Sequence, residues 1–135
     1  MGYNKDDIQL TTNFRASEFR CPCCGLGEIA PETVFVVQRL RDELGVPLRI
    51  NSGVRCVKHN KEVGGVVNSQ HVMKTAADVS CSLGVSKIWN ILKELYDKGE
   101  IPPLGYAQKY STFVHIDTRK TKVNNKFNDQ GILDA

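Results

Sequence analysis

The stretch Ser69-Gln70-His71-Val72-Met73-Lys74-Thr75-Ala76-Ala77-Asp78 decides the reading of this chain, together with Phe113-Val114-His115-Ile116-Asp117. The chain has only three histidines, and two of them sit in these runs near carboxylates. His71, Asp78 and His115 make a two-histidine, one-carboxylate set. Three protein ligands with a fourth position left for water is the usual make-up of a catalytic zinc site, whereas a structural zinc is closed by four. The residue count therefore points toward metal-assisted hydrolysis.

The spacing is compatible with such a site. His71 ends a long loop and Asp78 lies on the strand that follows, so the chain can turn once and bring both side chains back to one point. His115 sits in an apolar strand. His115 and Asp117 are two residues apart and share a face, while Val114 and Ile116 face the core. An ordinary reading stands beside this one: a lone strand histidine can be a hydrogen-bonded core residue, and Asp78 a strand-end cap. His59, among Lys58, Asn60 and Lys61, reads as a solvated loop histidine.

Outward from these runs, Pro31 suits the first turn of a helix. Val34, Val37, Leu40 and Leu44 then recur at helical spacing, and Gly45 with Pro47 stops the run. Leu48 to Asn51 reads as a short strand. Residues 53–70 read as loop, with Gly64-Gly65 and Asn68-Ser69 as turn signals. Ala76 to Cys81 reads as a buried strand. Ile88, Ile91, Leu92 and Leu95 mark a second helix closed by Gly99. Gly105 to Tyr110 and Thr112 to Thr118 read as a hairpin. Residues 1–20 read as an extended lead-in that docks Phe14 and Phe19, and residues 120–135 as a polar, frayed tail. The order predicts one small α+β domain, residues 1–135, with helices packed on a mainly antiparallel sheet and a core at about 13–119.

Composition bounds the function. At 135 residues, 41% hydrophobic and 24% charged, the chain is an ordinary single globular domain. Eighteen basic and 15 acidic residues leave a net charge of +3, which suits an anionic polymer such as a cell wall but, taken alone, describes a mixed solvated surface. No apolar run approaches the roughly 20 residues of a membrane span, so no membrane insertion is expected. Met1 to Asp7 hold no apolar signal core. The expected location is the cytoplasm until release onto the wall, unless a leader is removed or another protein exports the chain.

The five cysteines are Cys21, Cys23, Cys24, Cys56 and Cys81, an odd number that argues against a full disulfide framework. Cys21-x-x-Cys24 has zinc-knuckle spacing, and Cys56 and Cys81 would complete a four-sulfur site. A disulfide, or separate buried thiols, are the rival readings. A nucleic-acid-binding knuckle lacks its partner pair and a concentrated basic face, so no nucleic-acid partner is expected.

These residues carry a resemblance. Ser69, His71, Ala76 and Asp78 match the Ser-x-His-x-x-Gly-x-Ala-x-Asp pattern of the zinc D-alanyl-D-alanine carboxypeptidase family, and Phe-Val-His-Ile-Asp resembles its second histidine element. Ser52-Gly53-Val54-Arg55-Cys56, Asn60, Gly64-Gly65 and Ser17-Glu18-Phe19-Arg20-Cys21 are similar to segments of small bacterial and phage members. The resemblance covers roughly residues 13–119. It implies the Hedgehog/DD-peptidase fold, zinc on His71, Asp78 and His115, and a peptidoglycan peptide substrate cut by a monomeric carboxypeptidase or endopeptidase, such as a phage or prophage endolysin. The alternative is a non-catalytic zinc-containing binding module on the same fold. Lys74 departs from the motif's glycine, which puts the loop geometry in question.

Residue roles follow from the same resemblance. Relatives carry a glutamate three residues before the last histidine; Thr112 stands there and cannot be a base. Others use a histidine a few residues upstream, where Tyr110 stands. Asp117 is then the expected general base, or else a carboxylate that orients an imidazole. Arg55 is expected to contact a substrate carbonyl or oxyanion. Ser69 and Gln70 would bind the peptide substrate or cap their loop. Tyr106 and Tyr110 read as packing aromatics.

Overall fold

The computed structural model describes residues 7–120 and 127–128. Helix α1 spans Pro31–Leu44, with Pro31 in its first turn, where a missing N–H costs nothing. It ends at Gly45, whose φ of 70° no β-carbon would favour and whose N–H bonds the Arg41 carbonyl. Val34, Val37, Leu40 and Leu44 are buried, as their spacing predicts. Helix α2 spans Val57–Glu62 and helix α3 spans Val85–Asp97. Ile88, Trp89, Leu92 and Leu95 form the buried stripe of α3, each worth about 1.5–3 kcal/mol on transfer from water.

The strands are β1 (Leu48–Ser52), β2 (Ala76–Cys81), β3 (Tyr106–Lys109), β4 (Val114–Asp117) and β5 (Phe127–Asn128). Their order in the sheet is β1-β2-β4-β3-β5. The first four pair antiparallel, and β5 adds parallel to β3. Helix α3 lies on β2, β3 and β4 and packs against α1. This is the α+β arrangement expected, with three α-helices among the described residues packed on a mainly antiparallel sheet. The predicted hairpin is β3–β4, closed by the Tyr110 N–H on the Phe113 carbonyl at 2.9 Å.

The pleat sorts the chemistry. Ala77, Val79, Ala107, Val114 and Ile116 join the apolar core under the helices. Their neighbours point to the opposite face, where Asp78, His115 and Gln108 fall in one row and Ala76, Asp117 and Tyr106 in the next. All six are buried.

Two regions depart from expectation. Residues 53–70 are not loop throughout: they contain α2, whose N-cap is Cys56, with its sulfur accepting the His59 N–H. His59 therefore lies on a helix, 3.8 Å from Glu62, rather than in a solvated loop. The lead-in is folded back rather than extended. Gln9 bridges Arg15, a 3-10 turn follows at Ala16–Glu18, and Phe14 and Phe19 pack 5.9 Å apart in the core. The part of the polar tail at 121–126 and 129–135 lies outside the described residues.

Candidate active site

Asp78 and His115 face each other across the β2–β4 pair. His71 reaches them from a turn in which Ser69 caps the backbone: its hydroxyl accepts the His71 N–H at 3.1 Å, and its carbonyl receives the Val72 and Met73 N–H groups. The turn closes at Lys74, whose φ is 70°. The left-handed geometry that glycine would ease is thus kept, with a lysine in it. Its carbonyl accepts the Ala30 N–H at 2.9 Å and ties the turn to the start of α1. Gln70 points back into the loop, where its amide oxygen accepts the Thr75 hydroxyl at 2.9 Å.

His71, Asp78 and His115 are each at most 5% exposed, and one donor atom from each lies within 4.8 Å of the others. His71 Nε2 is 3.2 Å from Asp78 Oδ2, and His115 Nδ1 is 2.8 Å from Asp78 Oδ1. The remaining ring nitrogens are occupied. His71 Nδ1 is 2.7 Å from the Gly53 carbonyl, and His115 Nε2 is 2.7 Å from Asp117 Oδ2. Those partners fix which nitrogen of each ring turns inward: Nε2 of His71 and Nδ1 of His115. Two imidazole nitrogens and a carboxylate aimed at one point, each ring held from behind, fit a zinc ion's donor preferences.

Asp117 is fully buried and engaged on both oxygens. Arg119 forks onto it, Nε to Oδ1 at 2.7 Å and Nη2 to Oδ2 at 2.8 Å. The guanidinium also stacks over Tyr106, 5.2 Å from the ring centre. Arg119 escaped the sequence reading, although it continues the period-two face of His115 and Asp117. Burial alone would depress His115 and raise both aspartates. The hydrogen bonds win: His115 is raised to about 9 between Asp117 and Asp78. Asp78 is held well below the usual carboxylate range by the two histidines. Asp117 is lowered by Arg119 and His115.

A cleft of about 220 Å³ opens over the cluster, lined also by Arg55, Gly65, Ser69, Tyr110 and Phe113. Arg55 is aimed into place by Ser52 and Asn60, which accept its Nε and Nη1 at 3.2 and 3.1 Å, and its Nη2 is 3.7 Å from Asp78. Asn60, part of the resembling segment but assigned no role there, is buried on α2 and donates to the Val66 carbonyl at 2.8 Å. Gly65 packs so closely that a β-carbon there would run into Asn60 and Arg55. Tyr110 stacks on Phe113 at 4.5 Å, so it both packs and lines the cleft, whereas Tyr106 is fully buried with its hydroxyl on Gln108. Neither Gln70, Thr112 nor Asp117 is among the lining residues, and Asp78 is the one carboxylate among the described ones.

The second cluster differs from expectation. Cys21, Cys24 and Cys56 come together, but their fourth neighbour is Cys23. Cys81 ends β2 opposite Leu48 and packs against the apolar core instead.

This chain belongs to the peptidase M15 family, whose model matches residues 4–117, a family of zinc D-alanyl-D-alanine carboxypeptidase-like peptidases. Membership supports a hydrolase of peptide bonds, of the zinc-dependent kind that acts on cell-wall peptides. A comparison with curated proteins found no match. No helix among the described residues is long and apolar enough to cross a membrane.

Proposed function

We propose that the chain is a zinc peptidase that hydrolyses bonds in peptidoglycan stem peptides or cross-links, with His71, Asp78 and His115 as the protein ligands. The observation that carries this reading is the convergence of three buried donor groups beneath an open cleft. Zinc, when bound, supplies Lewis acidity toward a carbonyl and lowers the pKa of water.

The chain's own residues set the rest. The Gly53 carbonyl and Asp117 hold the two imidazoles in register, and Arg119 keeps Asp117 ionised. Asp117, with no exposure and both oxygens engaged, suits orientation of His115 better than proton transfer from water. Arg55 presents a fixed guanidinium at the cleft wall for the substrate carbonyl and the oxyanion it becomes. The cleft is smaller than the roughly 300–1,000 Å³ pockets that enclose drug-sized ligands, which suits a short stretch of extended peptide. A monomeric endolysin-type role is the finer form of this proposal, and the charge of +3 suits an anionic wall.

A second reading, a zinc-containing binding module without turnover, is favoured by one observation: no carboxylate besides Asp78 lines the cleft among the described residues. Digestion of purified peptidoglycan, with soluble muropeptides read by mass spectrometry, separates the two. The peptidase reading expects cleaved stem peptides that disappear with chelator and return with zinc. Zinc-loaded protein that leaves every muropeptide intact overturns it in favour of the binding module.

A further inference from the structure

Cys21-Pro22-Cys23-Cys24-Gly25 forms a knuckle apart from the cleft. The Gly25 N–H bonds the Cys21 carbonyl at 2.7 Å, and the Cys21 N–H returns to the Leu26 carbonyl at 2.9 Å. Gly25 has φ 71°, so the turn is one that glycine permits. The knuckle lies against the segment after β1. The Val54 N–H bonds the Phe19 carbonyl at 2.6 Å, and Gly53 sits so close to Phe19 that no β-carbon fits. This docking brings Cys56 to the knuckle.

Four sulfurs result, all within 4.8 Å of one another, with Cys21 to Cys23 at 3.6 Å and Cys23 to Cys56 at 3.3 Å. Sulfurs placed tetrahedrally at about 2.3 Å from one zinc ion are roughly 3.8 Å apart. The observed separations are near that value and far above the ~2.05 Å of a disulfide. Backbone donors also point at sulfur: the Cys56 N–H reaches Cys21 Sγ at 3.4 Å, and the His59 N–H reaches Cys56 Sγ at 3.3 Å. Cys23 and Cys24 are exposed, so apolar packing does not explain their place. A closed set of four soft ligands selects zinc over hard cations such as magnesium and calcium.

We propose that Cys21, Cys23, Cys24 and Cys56 bind a second, purely structural zinc ion that clamps the N-terminal segment to the Arg55 loop. The site braces the catalytic cleft from behind. Cys56 adjoins Arg55 and caps α2, which carries Asn60, and Gly53 holds His71. Loss of this ion frees the loop that fixes both Arg55 and one imidazole.

The test is metal stoichiometry by native mass spectrometry on protein grown with zinc. The wild type is expected to carry two zinc ions, H71A/H115A one, C23S/C24S one, and C81S two. In H71A/H115A the remaining ion is expected to leave only on treatment with a mercurial that titrates thiols. Cobalt-loaded wild type, which needs no variant to fold, is expected to show thiolate-to-cobalt charge-transfer absorption in the near ultraviolet. No zinc in folded H71A/H115A, a mass lowered by two hydrogens per disulfide, or cobalt without that absorption overturns the proposal. Failure of the cleft site alone reads differently: one zinc in the wild type, kept in H71A/H115A and lost in C23S/C24S.

Discussion

His115 and Asp117, two positions apart on β4, are joined by a 2.7 Å hydrogen bond from imidazole Nε2 to a carboxylate oxygen that Arg119 also holds. The bond turns Nδ1 of His115 toward Asp78, and under the proposed function Asp117 positions that imidazole. Asp117→Asn should therefore lower zinc affinity by about 10–100-fold. Activity should recover substantially at saturating zinc. A general base would behave otherwise, with turnover lost and zinc retained. Zinc titration against a chromogenic chelator, run beside muropeptide turnover, distinguishes them.

Arg55 is held by Ser52 and Asn60 at the cleft wall. Arg55→Ala should cost about 100-fold or more in kcat/KM, the scale of a lost oxyanion contact, with zinc content unchanged. Gly65→Ala should act in the same direction but less, by about 10-fold, because its β-carbon displaces Asn60 and the guanidinium rather than deleting them. Kinetics on a defined muropeptide, with metal analysis alongside, checks both.

The buried charges set a pH dependence for the chelated protein. His115, raised from 6.5 to about 9, stabilises the fold fully below pH 6.5, and that contribution is lost as pH rises through about 9. Asp78, lowered from 3.8, contributes above that pH and loses its contribution as pH falls through its folded value. Thermal melts of the chelated protein should peak between about pH 4 and 6.5. Zinc must displace the His115 proton, so zinc affinity should rise with pH up to about 9. Calorimetric titration in buffers of differing ionisation enthalpy should detect the released proton near pH 7.

Lys74 carries φ 70°, a conformation that costs a side-chain-bearing residue about 1–2 kcal/mol. Lys74→Gly relieves it but gives the unfolded chain more freedom. The net gain should be about 0.5–1 kcal/mol, or a Tm higher by a few degrees, with activity kept. A melting curve that moves down shows that the lysine side chain supplies a compensating contact.

Helices α1 and α3, the hairpin and the meeting of His71, Asp78 and His115 were legible because each rests on a local pattern. Val34 to Leu44 recur at helical period, Val114 and Ile116 alternate with His115 and Asp117, and the motif runs are contiguous. Helix α2 was not legible. Lys58 to Glu62 carry no apolar stripe, and Val57 is exposed, so hydrophobic periodicity has nothing to register. The helix exists through the Cys56 cap and the bond from Asn60 to Val66. Cys23 was passed over for Cys81 because knuckle spacing picks out positions 21 and 24 only. Which further cysteine joins them depends on how Phe19 docks on Gly53 and Val54, a contact between segments far apart in sequence. The ion pair that engages Asp117 was not legible either, because Arg119 stands one strand period further along.

Two imidazoles and one aspartate are expected to hold a single zinc ion through nitrogens chosen by Gly53 and Asp117. A crystal of the zinc-loaded protein, with anomalous data collected on both sides of the zinc edge, locates the ion and its ligand atoms. The expected anomalous peak lies about 2.0–2.2 Å from His71 Nε2, His115 Nδ1 and an Asp78 oxygen, beneath the Arg55 wall of the cleft. Absence of a peak among these three residues in zinc-loaded protein, or ligation through His115 Nε2 with Asp117 displaced, rules this site out.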